Sequence, residues 1–185
     1  MRHNGIRRMC RIAVMAAVVA VTAAITIPLQ FTPVPLSLAT FGVLLAGALT
    51  GPIDGTVAVV IYLILGILGL PVFAGFRGGI AVLLGPTGGF LLGYPLLSFV
   101  TGYLPRLLKG TGLLFSNILA MTAGTILMYA AGCVWFVSFS GVAPAAAVTS
   151  CVVPFLPGDI IKVLLASIIS KKMTGSIRTE NHGGK

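Results

Sequence analysis

Residues 12–29 read Ile12-Ala13-Val14-Met15-Ala16-Ala17-Val18-Val19-Ala20-Val21-Thr22-Ala23-Ala24-Ile25-Thr26-Ile27-Pro28-Leu29, without a single charge. A helix needs about 20 apolar residues to cross a bilayer, and this run comes close. The stretch before it, residues 1–11, is polar and carries Arg2, Arg7, Arg8 and Arg11. A basic segment followed by an apolar one also describes a signal peptide. That alternative is disfavoured because the run is long and further apolar segments follow it.

The rest of the chain repeats the character of this run. Of 185 residues, 57% are hydrophobic and 8% charged, and the mean hydropathy is +1.10. Soluble domains carry about 25% charged residues, so a water-soluble globular domain is excluded. The expectation is one all-α membrane domain over residues 1–185, a bundle of six transmembrane helices. The segments are 12–29, 36–50, 55–70, 90–104, 113–139 and 145–170, the last interrupted by Pro154 and Pro157-Gly158. Thr32-Pro33-Val34-Pro35 and Gly51-Pro52-Ile53-Asp54-Gly55 connect the first three, and Asp54 reads as a turn or cap residue. Residues 71–89 are Gly-rich and not plainly helical, and 105–112 read as a loop. The tail from Lys171 is polar and reads as a frayed end.

The net charge of +9 does not indicate nucleic-acid binding, because the basic residues sit at the ends and in one loop. Six spans put Arg2, Arg7, Arg8, Arg11, Arg106, Lys109, Lys171, Lys172, Arg178 and Lys185 on one side and Arg77 on the other. That bias places both termini, residues 1–11 and 171–185, in the cytoplasm and the chain in the cell membrane as a multi-pass protein.

Within apolar sequence stands Pro157-Gly158-Asp159-Ile160-Ile161-Lys162. A spacing of three puts Asp159 and Lys162 on one helix face. Charges inside a membrane are expensive and face a cavity or each other, so this pair is the first candidate binding site. A mutual salt bridge that only packs helices is the competing reading, and both can hold. The second constellation is Gly75-Phe76-Arg77-Gly78-Gly79 followed by Gly85-Pro86-Thr87-Gly88-Gly89-Phe90. Glycine lets backbone approach a ligand closely, and the Arg77 guanidinium suits a carboxylate. A snorkelling interfacial arginine is the alternative. The third feature is a set of small-residue steps on segment one, Ala13/Ala17, Ala16/Ala20 and Ala20/Ala24, a face for a partner helix.

No enzyme or metal signature is present. The acids are Asp54, Asp159 and Glu180, and Cys10, Cys133 and Cys151 form no CxxC pair. His3 and His182 lie in the polar termini. No HExxH, Gly-x-Ser-x-Gly, Walker A or GxGxxG pattern occurs. A small membrane enzyme acting on lipid would need a nucleophile with a base, or a metal, and no motif supplies one. A scaffold protein remains a further alternative.

The ordered runs Gly69-Leu70-Pro71-Val72-Phe73-Ala74-Gly75, Gly85 to Phe90, and Pro154 to Lys162 resemble the BioY family over about residues 12–170. Val34-Pro35 and Leu45-Ala46-Gly47 fit as well. These are the biotin-specific substrate-capture (S) components of energy-coupling-factor (ECF) transporters. The resemblance implies a six-helix bundle with an outward-facing pocket and high-affinity biotin capture. It implies a transmembrane coupling subunit and two ATPase subunits as partners, with no cofactor on this chain. Asp159 and Lys162 match the family's last-helix pair. Arg77, Gly75, Gly78, Thr87, Gly88 and Phe90 are the other implied substrate contacts. Ala13, Ala17, Ala20 and Ala24 match the coupling-subunit contact. Association with a second copy of the chain stays open, as does an S component for another vitamin.

The chain departs from the pattern in places. Ser37 is followed by Leu38 and Ala39 where Gln is frequent, and Phe90 stands where Tyr is frequent. Leu91 stands where some members have Arg, and Arg77 where some have Asn. Arg77 is therefore expected to supply the positive charge that Leu91 cannot.

Overall fold

The computed structural model describes residues 2–27, 34–108 and 110–180, with side chains from 5 to 173. Pro28, Thr32-Pro33, Lys109, His182 and Lys185 lie outside the described residues, as do the side chains of Arg2, His3 and Arg178. Eight helices and one two-stranded pairing are described: α1 (Arg2–Ala24), β1 (Thr26–Ile27), β2 (Leu36–Ser37), α2 (Ala39–Thr50), α3 (Pro52–Ile67), α4 (Ile80–Leu83), α5 (Gly88–Leu107), α6 (Leu113–Ser140), α7 (Pro144–Cys151) and α8 (Leu156–Glu180).

The first helix begins well before the apolar run, so the basic segment continues its helix. The run itself ends earlier than Pro28, at Ala24. Thr26 and Ile27 then pair antiparallel with Ser37 and Leu36, folding the start of α2 back against the end of α1. α3 begins at Pro52 rather than after the Gly-Pro turn, because proline at a first helical position lacks only an N–H that would be unpaired anyway. α5 runs through Pro105 and Arg106 to Leu107, into the expected loop. α8 continues to Glu180, past Lys171 where a frayed tail was expected. The interruption at Pro154 and Pro157 is a break between α7 and α8, which bend by 56°.

Asp54 is no cap. It lies in the first turn of α3 and holds two arginines of α1: Arg8 at 2.7 Å and Arg11 at 2.9 Å. This ion cluster pins the basic end of α1 to α3. Further along, Gly47 of α2 lies against the Ser98 carbonyl of α5, where a Cβ would collide with backbone. Leu44, Tyr62, Phe73, Leu97, Met121 and Met128 fill the centre of the bundle almost without exposure.

The outer surface is apolar as well. Val21, Ile64, Leu92, Ile126, Ile160 and Leu165 are all exposed. Among the described residues, α6 alone is long and apolar enough to cross a membrane, and α7 with α8 qualifies as one bent span. α2 and α3, at 12 and 16 residues, are apolar but short of the usual length.

Candidate functional site

The loop 71–79 between α3 and α4 closes on itself: the Phe73 N–H donates to the Arg77 carbonyl at 2.9 Å. Phe76 at its tip has φ 56, which is unusual for a bulky side chain. The Gly75 N–H donates to the Thr26 hydroxyl at 3.0 Å, tying the loop to the small β pairing. Between these parts and the start of α5 lies a cavity of about 320 Å³. Phe73, Arg77, Thr87, Phe90, Leu91 and Tyr94 are among its walls. The volume falls at the lower end of the range for small-molecule sites.

A smaller chamber of about 50 Å³ adjoins it and shares Val34, Pro35, Ser37, Phe90 and Tyr94 with it. Its other walls are Thr40, Met128, Tyr129, Cys151, Phe155, Asp159 and Lys162. The break before α8 is what delivers the charged pair here, because Asp159 and Lys162 occupy the first turns of the restarted helix. Both are about 7% exposed.

The pair is tightly bonded. Lys162 Nζ donates to Asp159 Oδ1 at 2.7 Å, to the Ser37 carbonyl at 2.7 Å and to Thr40 Oγ1 at 3.0 Å. The Thr40 hydroxyl reaches the same carboxylate oxygen at 3.4 Å. The Tyr129 hydroxyl donates to Asp159 Oδ2. Charges in a low-dielectric interior persist only with such partners, and removing one partner strands the other. The arrangement offers a carboxylate with remaining acceptor capacity at the bottom of an aromatic-walled cavity, and a cation at its mouth.

The structure brings Asp159, Lys162, Arg77, Thr87 and Phe90 onto this joined cavity. Gly75, Gly78 and Gly88 are not among its walls. Gly75 braces the loop, and Gly78 lies against the Leu70 carbonyl. Gly88 is buried against the Leu83 carbonyl and Trp135, where any side chain would collide. Trp135 in turn donates to the Gly85 carbonyl at 2.9 Å, on the cavity wall. On α1, Ala16 and Ala23 are buried inside the bundle, Ala13 and Ala17 are exposed, and Ala20 and Ala24 lie between. Sequence reasoning missed Thr40, Tyr94 and Tyr129. Their partners lie on other helices, so no local spacing marks them. Among the described residues, no cluster of His, Cys, Asp and Glu could hold a metal.

The sequence matches the BioY family over residues 1–179. A probable biotin transporter BioY of Pyrococcus horikoshii is 39% identical over 165 residues, covering 89% of this chain and 94% of its own. Biotin transporter BioY of Thermotoga maritima is 39% identical over 168 residues, covering 90% and 95%. That of Rhodobacter capsulatus is 39% identical over 165 residues, covering 84% and 86%. Among solved structures, the S-component for biotin from an ECF-type ABC transporter superposes with a TM-score of 0.87. It is 31% identical and covers 95% of this chain and 94% of that one.

Proposed function

The chain belongs to the BioY family, and on that premise we propose that it captures biotin as the substrate-specific S component of an ECF-type importer. It is a transporter component rather than an enzyme. The observation that carries the reading is the bonded Asp159–Lys162 pair at the bottom of an aromatic-walled cavity whose mouth holds Arg77. Biotin presents complementary chemistry: a compact ureido ring with N–H donors and a carbonyl, an apolar thioether ring, and a flexible tail ending in a carboxylate. In this reading the ureido edge of the ring points into the small chamber beside Asp159, and the rest of the ligand occupies the wider cavity along Phe90. In this reading the carboxylate reaches outward to Arg77 and Thr87, two of the polar groups of the wider cavity.

The membrane arrangement follows from the same reading. Helices α1, α2, α3, α5 and α6 and the bent α7–α8 pair make six spans, with both termini cytoplasmic. The lysine and arginine bias and the exposed apolar side chains support this. The cavity then opens outward, on the side of Arg77. The half of α1 that bears Ala13, Ala17, Ala20 and Ala24 is left for the coupling subunit. Two ATPase subunits supply ATP binding, and this chain carries no cofactor. Ligand capture needs no ATP, whereas import does. Titration of the purified protein with biotin, with thiamin and riboflavin as controls, tests the reading. Biotin-selective binding supports it, and its absence from a folded sample contradicts it.

A further inference from the structure

Away from the joined cavity, a groove runs along the outside of the bundle between α6 and α8. Its upper part is a hollow of about 190 Å³. Ile118 and Ile126 of α6 and Leu156, Ile160, Val163 and Leu164 of α8 line it. Ile126, Leu156, Ile160 and Leu164 are exposed there. Three polar walls are bonded within the protein. Thr125 donates to the Met121 carbonyl at 2.8 Å, and Tyr129 donates to Asp159. The lower part widens to about 430 Å³ and shares Ile118 with the upper one. Leu113, Phe115 and Lys171 are among its walls.

The dimensions and the charge suit one kind of occupant. From Ile118 to Tyr129, α6 rises about 16 Å, close to half of the ~30 Å hydrocarbon core of a bilayer. The apolar hollow therefore has the depth of one leaflet. Lys171 lies about 10 Å beyond Leu164 along α8, past the end of the hollow. It is exposed and makes no ion pair with any described residue. Asp54 and Asp159, the acids with described side chains, are held by Arg8 and Arg11 and by Lys162. A second copy docked through this face about an axis along the membrane normal would set Lys171 against Lys171, a like-charge contact. A phospholipid brings an apolar chain and a negative charge in the order that the groove presents their complements.

We propose that the α6–α8 groove is a docking site for an anionic phospholipid of the cytoplasmic leaflet. One acyl chain lies in the hollow between Ile126 and Ile160, and the phosphate pairs with Lys171. Cytoplasmic leaflets carry anionic lipids, and basic pockets between membrane helices on that side take their headgroups. The choice of leaflet rests on the reading that both termini are cytoplasmic, whereas the contact itself does not depend on biotin. A chain seated here fills the gap between α6 and α8 and braces the last helix against the bundle.

The test uses the purified full chain, delipidated in a neutral detergent. It is titrated with dioleoyl phosphatidylglycerol and, separately, with dioleoyl phosphatidylcholine. Native mass spectrometry counts the bound lipids, and unfolding temperature is followed in parallel. Phosphatidylglycerol is expected to bind more tightly and to raise the unfolding temperature more. Lys171→Gln is expected to lower phosphatidylglycerol affinity about fivefold and phosphatidylcholine affinity less. Lys172→Gln removes the same charge next in sequence but outside the groove walls, and should bind as wild type. Thr122→Phe narrows the hollow from an exposed position and should weaken both lipids. Biotin titration of each variant, expected at the wild-type level, shows that it is folded. Equal losses in the two lysine variants would mean general attraction to a basic surface and overturn the proposal. So would equal affinity for the two lipids, or lipid binding unchanged by Thr122→Phe. A dimer that Thr122→Phe dissociates, in place of a lipid adduct, assigns the groove to a second copy and also overturns it. The lysine pair decides the test alone if Thr122→Phe folds poorly. A wild-type chain that shows this lipid pattern but binds no biotin would sink the ligand reading and leave this proposal standing.

Discussion

Lys162 and Asp159 face each other at 2.7 Å one helical turn apart, and the same ammonium also holds two groups at the start of α2. The pair therefore joins the last helix to the second as well as forming the bottom of the cavity. Lys162→Met leaves a buried carboxylate without its counter-ion and is expected to destabilise the protein by about 3–5 kcal/mol. Adding Asp159→Asn should recover much of that stability without recovering ligand binding. Thermal unfolding in detergent beside a biotin titration separates the two effects. A double variant as unstable as the single one would contradict this account.

Tyr129 bonds the other carboxylate oxygen. Tyr129→Phe removes a hydrogen bond to a charged group, which is expected to cost about 1.5–3 kcal/mol of stability or of binding. Unfolding temperature and affinity, measured on the same sample, should show the loss in their sum. No change in either would mean that the hydroxyl does not hold Asp159.

Arg77 is exposed at the cavity mouth, and its side chain has no partner among the described residues. Arg77→Ala is expected to express normally and bind biotin about ten- to a hundredfold more weakly, the loss of one charge-assisted hydrogen bond. A biotin ester lacking the carboxylate charge should be insensitive to the substitution. Unchanged biotin affinity in the variant would remove Arg77 from the site.

The exposed side of α1 offers a separation of functions. Ala17 is exposed, whereas its neighbour Ala16 is buried. Ala17→Leu should leave biotin binding by the isolated chain intact and lower import in cells that carry the partner subunits. Import at the wild-type level would argue against this face as the docking surface.

Asp54 tests the other end of α1. Its arginine partners are more than half exposed, at 53% and 54%, so solvent screens the cluster. Asp54→Asn is expected to lower stability by only about 1 kcal/mol, and less at high salt. A loss of several kcal/mol would mean that the clamp holds more than the α1–α3 contact.

Much of this was readable before the fold was known, for reasons that lie in local spacing. An uninterrupted apolar run predicted 113–139, and α6 covers Leu113–Ser140. A spacing of three between two charges in apolar sequence predicted a pair on one helix face, and the bond is there. Other features depend on contacts between distant residues. Thr40 and Lys162 are 122 positions apart, and Tyr129 and Asp159 are 30 apart. Asp54 looked like a turn residue because the arginines that hold it are on another helix. Glycine density around Gly88 signalled close approach correctly, but the neighbour is Trp135 and the Leu83 carbonyl. Sequence reports that a backbone must come near something, without saying whether that is a ligand or another helix.

The measurement that bears most directly on biotin capture uses the single tryptophan, which is bonded to the Gly85 carbonyl on the cavity wall. The purified chain in nanodiscs is titrated with biotin, thiamin and riboflavin while Trp135 fluorescence is followed, and radiolabelled biotin gives an independent affinity. An Asp159→Asn/Lys162→Ala protein runs beside it. The account predicts saturable binding of biotin alone, without ATP, lost in the double variant. A folded wild-type protein that ignores biotin, or a double variant that binds it as tightly as wild type, would contradict it.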